Sequence, residues 1–273
     1  MKDTTSIAIG GFDGIHIGHQ ALFSELDEHG TIVVIETGYA NLTPNLFRKR
    51  YAQHKLFFLQ LDAIRHLDGA EFVALLQRTF PKLQKIVVGY DFHFGKDRCY
   101  SFDNLRELFE GEVVVVEEVK HNNDSVHSRK IRAKLQQGDI KRANEFLGHN
   151  YTIVGEVIQG QGLGAKELVP TINLKVEDFL LPKEGVYVTT TRVDNEEHFY
   201  PSVTFIGHRK TTDGDFAVET HIIDGEVECK QKAEVRFVDF LRDNEKFATL
   251  DALKVAIKKD IAKATKELKI LAL

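Results

Sequence analysis

Two histidines three residues apart, His16 and His19, follow the string Gly10-Gly11-Phe12-Asp13-Gly14 near the start of a chain of 273 residues. Imidazoles at this spacing can donate hydrogen bonds to a polyphosphate whose charge redistributes when one of its phosphorus atoms is attacked. Glycines beside them let backbone N–H groups approach phosphate oxygens, and a following helix adds the positive end of its dipole. The same residues admit a metal site of His16, His19 and Asp13, or a plain glycine turn with two surface histidines. Phosphate binding accounts for the whole string and is the reading adopted.

Three further patterns carry chemistry. Asp91, Phe92 and Phe94 leave an apolar run at 85–88, and two aromatics beside an acid suit a flat heteroaromatic ligand. Gly160, Gly162 and Gly164 alternate in a loop able to bring backbone donors to nucleotide phosphates. Thr171 and Asn173 follow in Pro170-Thr171-Ile172-Asn173, where both can turn oxygens to Mg²⁺.

These groups need elements to hold them. Near-continuous apolar runs at 6–9, 31–35, 85–88 and 112–116 read as strands buried on both faces. Between them, 19–28, 46–61 and 70–79 carry apolar residues at three- and four-residue spacing, as crossover helices of a parallel sheet do. Two short helices are expected at 129–137 and 140–147, closed by Gly148. From 151 to 240 the pattern turns to strands with loops rich in Gly, Asp and Asn, before an amphipathic helix at 250–268. The fold class is α/β, with an N-terminal domain over 1–149 and a small barrel plus terminal helix over 150–273.

Composition narrows the partners. A formal net charge of -5 gives no general basic field, so phosphate chemistry is arranged locally and a nucleic-acid partner is not expected. The apolar stretch at the N-terminus is short and broken by glycines and Asp13, unlike a signal peptide or membrane span. Cys99 and Cys229 are the two cysteines, too far apart for a disulfide framework or metal-ligand spacing, which points to the cytoplasm. Nothing in the pattern speaks to oligomeric state.

The string from Gly10 to His19 resembles the H-x-G-H superfamily of nucleotidyltransferases, without the KMSKS-like loop of the class I aminoacyl-tRNA synthetases in that superfamily. Gly89-Tyr90-Asp91-Phe92-His93-Phe94-Gly95 is similar to the G-x-D-F-x-F-G segment of flavin-synthesising enzymes. Ser128, Ile131 and Arg132 match that family's S-S-T-x-I-R, with His127 and Arg129 replacing a serine and the threonine. Thr171 and Asn173, then Leu181-Pro182-Lys183-Glu184-Gly185, Phe205-Ile206-Gly207, Val218-Glu219-Thr220-His221 and Phe240-Leu241-Arg242 follow in family order. From 9 to 263 the chain thus resembles the bacterial bifunctional riboflavin kinase/FMN adenylyltransferase family.

The resemblance implies a Rossmann-like nucleotidyltransferase domain joined to a Greek-key riboflavin kinase barrel. ATP and flavins (riboflavin, FMN, FAD) are the implied small-molecule substrates and products, with Mg²⁺ as the metal. Gly11, Phe12, Asp13, His16, His19, Ser128 and Arg132 would bind the ATP of adenylyl transfer, in which the two histidines stabilise charge. Asp91, Phe92, Phe94 and Arg242 would contact flavin. Gly160, Gly162, Gly164, Thr171 and Asn173 would bind the ATP of the kinase, the last two holding the metal, and Glu219 would take the proton of the ribityl 5′-hydroxyl. Departures at Glu36-Thr37-Gly38-Tyr39, Ala165, Leu168-Val169, Lys210 and Glu228-Cys229-Lys230 leave two rivals open: an adenylyltransferase with an impaired kinase, and a flavin-binding sensor without turnover.

Overall fold

The computed structural model describes residues 1–159, 169–194, 196–223, 225 and 227–271. The chain divides into two compact units, Met1–Ser128 and Arg129–Leu273.

In the first unit, β1 (Ser6–Gly10), β2 (Thr31–Glu36), β3 (Lys55–Gln60), β4 (Lys85–Gly89) and β7 (Glu112–Val116) form a parallel sheet in the order β3-β2-β1-β4-β7. Alternate residues feed two cores. Ile7, Ile9, Val33, Ile86 and Val88 enter one, while Ala8, Ile32, Val34 and Val87 enter the other, which is why these strands read as unbroken apolar runs. The first core packs beneath α3 (Gly69–Thr79) and α4 (Phe102–Leu108), and the second beneath α1 (Ile17–Phe23). Small elements complete the unit: α2 (Leu61–Ile64), the pair β5 (His93–Phe94) and β6 (Tyr100–Ser101), and the pair β8 (Lys120–His121) and β9 (Asp124–Ser125). Strand order reverses between β1 and β4, and such a switch point opens a crevice at the carboxyl ends of the strands.

Two helix expectations are corrected. The stretch 46–61 is not a helix but a 3-10 segment, Asn45–Arg50, followed by edge strand β3 and the start of α2. The run Leu56-Phe57-Phe58-Leu59 packs on both cores, and that burial outweighs its incidental helical spacing. The first helix stops at Phe23 rather than 28, because Asp27 turns its N–H to Ser6 Oγ (3.0 Å) and accepts from Thr5 Oγ1 (2.8 Å).

In the second unit, β10 (Thr152–Ile158), β11 (Ile172–Lys175), β14 (Phe216–Ile222), β13 (Tyr200–His208), β12 (Gly185–Val193) and β15 (Lys232–Asp243) close an antiparallel barrel in that order. One face of β12–β14 is a buried hydroxyl row: Thr189 reaches Ser202 (2.7 Å) and Thr204 (2.9 Å), Thr191 reaches Ser202 (2.8 Å), and Thr204 bonds Thr220. The opposite face presents Val186, Val188, Val203 and Phe205 to Ile261, Ala264 and Leu268 of α7 (Leu250–Leu271). Helices α5 (Ser128–Gln137) and α6 (Ile140–Leu147) precede the barrel, and Gly148 ends α6 in the left-handed region (φ 72°). Asn144 of α6 donates to the Phe237 carbonyl (2.9 Å) and accepts from Tyr151 N–H (2.7 Å), so the compact unit begins ahead of the change in sequence pattern at 148–151. Among the described residues no helix is long and apolar enough to cross a membrane.

Candidate active sites

The first candidate site sits at the switch point. A cavity of about 480 Å³ is lined by Gly11, Phe12, His16, His19, Asp91, Phe92, Phe94 and Ser128, which sequence reasoning had placed at nucleotide and flavin. His16 is buried and caps α1: its Nδ1 accepts from the His19 N–H (3.3 Å). An accepting Nδ1 leaves the proton on Nε2, so His16 presents an N–H donor. The two rings stack with centroids 3.5 Å apart, and Gly18 permits this, since a Cβ there would lie 3.1 Å from the His16 ring. His19 Nδ1 is buried without a protein partner. Burial, then the neighbouring His16, Arg48 and His127, hold the His19 imidazole well below its ordinary range, so the ring is neutral near pH 7.

Phe92 and Phe94 stack at 5.6 Å, and Phe94 also meets Phe72 and Tyr100 at 5.5 Å. Phe94 therefore belongs to the core, while the half-buried Phe92 and exposed Asp91 offer the accessible wall. Ser128 lines the cavity and donates to the Asp13 carbonyl (2.8 Å). Arg132 lies on α5 in the second unit.

Asp13 does not line the cavity. Its carboxylate accepts from the N–H groups of Asn41 (3.2 Å), Leu42 (3.0 Å) and Thr43 (2.8 Å), holding down the segment after β2. The Asp13 carboxylate is therefore committed to these backbone N–H groups rather than to the two histidines. Among the described residues no group of three or more His, Cys, Asp or Glu side chains is placed to hold a metal ion.

Arg48 is a fully buried residue that sequence reasoning missed. Its guanidinium donates to the Phe12 carbonyl (3.3 Å), the Gly11 carbonyl (3.4 Å), the Asn45 carbonyl (3.2 Å) and Glu36 Oε2 (2.9 Å). Because trans peptides set C=O and N–H on opposite sides, this grip turns the N–H groups of Phe12 and Asp13 away from the guanidinium. It also supports the left-handed Phe12 (φ 45°), a conformation costly for a bulky residue. Glu36 is thus a departure from the family pattern that carries its own partner. Arg48→Met is expected to destabilise the protein by about 3 kcal/mol, measured by urea unfolding, because it strands a mostly buried carboxylate and three carbonyls.

The second candidate site lies on the barrel face covered by α7. Thr171, Asn173, Glu219 and Arg242, more than 70 positions apart in sequence at the extremes, line one cavity. Asn173 stands opposite Glu219 across β11 and β14. Burial pushes the Glu219 carboxyl up, opposed by the charge and hydrogen bond of Arg209, whose Nη1 lies 3.1 Å from Oε1. His221 Nδ1 lies 2.8 Å from the Pro170 carbonyl, which fixes the turn that delivers Thr171. Arg242 is forked on the buried Asp260 of α7, with Nε 3.0 Å and Nη2 2.8 Å from Oδ2, and so stands as a fixed wall of the cavity. Arg209 and His221 were not singled out from sequence; both act through contacts that spacing does not reveal. Gly160, Gly162, Gly164, Ala165 and Leu168 lie outside the described residues.

Comparison with known proteins finds a family match in each unit. Residues 147–268 match a family model described as riboflavin kinase, and residues 1–37 match one described as FAD synthetase. A bifunctional riboflavin kinase/FMN adenylyltransferase of Pseudomonas fluorescens is 31% identical over 284 residues, spanning 94% of this chain and 90% of the relative. One from Listeria monocytogenes is 30% identical over 285 residues, spanning 93% and 89%. A crystal structure titled as a macrolide-efflux protein of Streptococcus pneumoniae superposes with a TM-score of 0.84 at 26% identity, covering 95% of this chain and 93% of that one. With relatives matched along nearly their whole length and a separate site in each unit, the chain belongs to the bifunctional riboflavin kinase/FMN adenylyltransferase family.

Proposed function

We infer that the chain makes both flavin nucleotides: it transfers the γ-phosphoryl of ATP to riboflavin, giving FMN and ADP, and then transfers AMP from a second ATP to FMN, giving FAD and pyrophosphate. Kinase chemistry is assigned to residues 150–273 and adenylyl transfer to 1–149. The observation that carries the reading is the gathering of Asn173 and Glu219 from two neighbouring strands, with Thr171 from the turn before the first, into one cavity, together with an independent cavity holding His16 and His19.

In the kinase, Glu219 accepts the proton of the ribityl 5′-hydroxyl as that oxygen bonds the γ-phosphorus and the bond to ADP breaks. Thr171 and Asn173 offer two hard oxygens, the donor type Mg²⁺ takes, and the metal when bound neutralises phosphate charge. In the other site an FMN phosphate oxygen attacks the α-phosphorus, and pyrophosphate leaves. His16 Nε2–H and the neutral His19 donate to the oxygens on which charge grows, while Phe92 and Asp91 border the flavin. Arg132 is retained as a candidate phosphate ligand. Cys99 and Cys229 are both free thiols, which suits a reducing cytoplasm.

Chromatography of the products from riboflavin, ATP and Mg²⁺ tests the reading directly. FMN followed by FAD is expected; FAD from supplied FMN without FMN from riboflavin would leave an adenylyltransferase alone. Saturable flavin binding with no ATP consumption would leave a sensor.

Protonation gives a second test. A triphosphate against the rings favours the cationic form of His19, whose pKa in the free site is depressed. ATP binding near pH 6 is therefore expected to take up protons, and uptake should vanish near pH 8, where the ring is neutral before and after. Calorimetry in buffers of different ionisation enthalpy measures it, and His19→Gln should remove the component due to this site.

A further inference from the structure

The Glu219 carboxylate is held from outside by a second carboxylate. Arg209 follows β13 and sits in a tight turn: its N–H donates to the Asp215 carbonyl (2.9 Å), and its carbonyl accepts from Thr212 (3.0 Å) and Gly214 (3.1 Å). The turn is tied to the segment after β15 by Phe247 N–H on Thr211 Oγ1 (3.0 Å) and by Lys210 Nζ on the Asn244 carbonyl (3.1 Å). From this base the guanidinium forks onto Asp213, with Nε 3.0 Å from Oδ1 and Nη2 2.9 Å from Oδ2, while Nη1 donates to Glu219 Oε1 (3.1 Å). Asp213 is itself fixed, since its Oδ1 accepts the Asp215 N–H (3.1 Å). Arg209 lines the cavity; Asp213 does not.

We propose that Asp213 and Arg209 are positioning residues of the kinase, a charge relay of geometry rather than of protons, which pins Oε1 of Glu219 and leaves Oε2 to meet the substrate hydroxyl. The proposal rests on Glu219 as the proton acceptor. A guanidinium suits the task because it stays charged and its planar fork fixes direction on both carboxylates at once, so it does not compete for the proton. Held on one edge by Asp213, it cannot follow Glu219 out of place. A small misalignment of a reacting group lowers rate far more than it lowers substrate affinity.

A double-mutant cycle on the full chain tests this, with the barrel's thermal unfolding transition as the control for folding. Asp213→Asn should lower kcat for riboflavin phosphorylation about 10-fold, with KM for riboflavin and ATP within about 2-fold. Arg209→Lys, which keeps charge but cannot fork, should lower kcat about 10- to 100-fold in the same manner. In a Glu219→Gln background both substitutions should have no further effect, because their route to the reaction is gone. Equal losses in the two backgrounds, or an unchanged kcat for both single variants, would overturn the proposal. Normal kinase turnover by Glu219→Gln alone would instead sink the proton-acceptor reading on which it rests.

Discussion

Glu219→Gln should lower riboflavin phosphorylation by about 10²- to 10⁴-fold, the usual worth of a positioned general base, while FMN supplied from outside is still converted to FAD. The substitution changes little else. Gln keeps a carbonyl oxygen for Arg209 Nη1, and Arg209 remains neutralised by Asp213. Its neighbour Thr220 is buried and bonded to Thr204, so β14 keeps its register. What is lost is the capacity to take a proton, so the defect should fall on kcat. ADP release under saturating riboflavin and ATP measures it, and a variant with undiminished release would remove Glu219 from the chemistry.

Much of this was legible in the sequence, and what was not has a common physical cause. Strands β1, β2 and β4 show as apolar runs because each is buried on both faces within a short span, and edge strand β7 does so because its half-buried valines alternate between the two cores. The edge strand β3 was masked by apolar residues that also satisfy a helical period, and only pairing with β2 decides between them. The histidine string is local, so its glycine and both rings could be read together. Asp13 lies in the same string yet bonds backbone 28 to 30 positions away, and no spacing rule anticipates that. Arg48 and Arg209 are likewise defined by partners brought near by the fold. The departure at Glu36 was visible, but its meaning appears only with Arg48 beside it. On the barrel, Asn173 and Glu219 line one cavity because β11 and β14 are neighbours, though they are far apart along the chain.

His19→Ala should cut FAD formation from FMN by about 10²- to 10³-fold and leave riboflavin phosphorylation intact, since removing one preorganised donor to developing charge costs that much. The ring caps no helix, its Nδ1 lacks a protein partner, and its burial holds it neutral, so the substitution removes a group kept at the cavity wall at some energetic cost. His16 needs a different variant, because its Nδ1 also caps α1 and alanine would add about 1 kcal/mol of lost capping to any catalytic defect. His16→Asn keeps a capping oxygen while deleting the Nε2 donor, so a rate loss without a lowered melting temperature assigns the effect to the ring. If the stacked pair acts on the same phosphate, the double variant should lose less than the product of the two single losses. Full multiplicativity would mean that the rings serve separate steps, and undiminished FAD formation in both single variants would exclude them from adenylyl transfer.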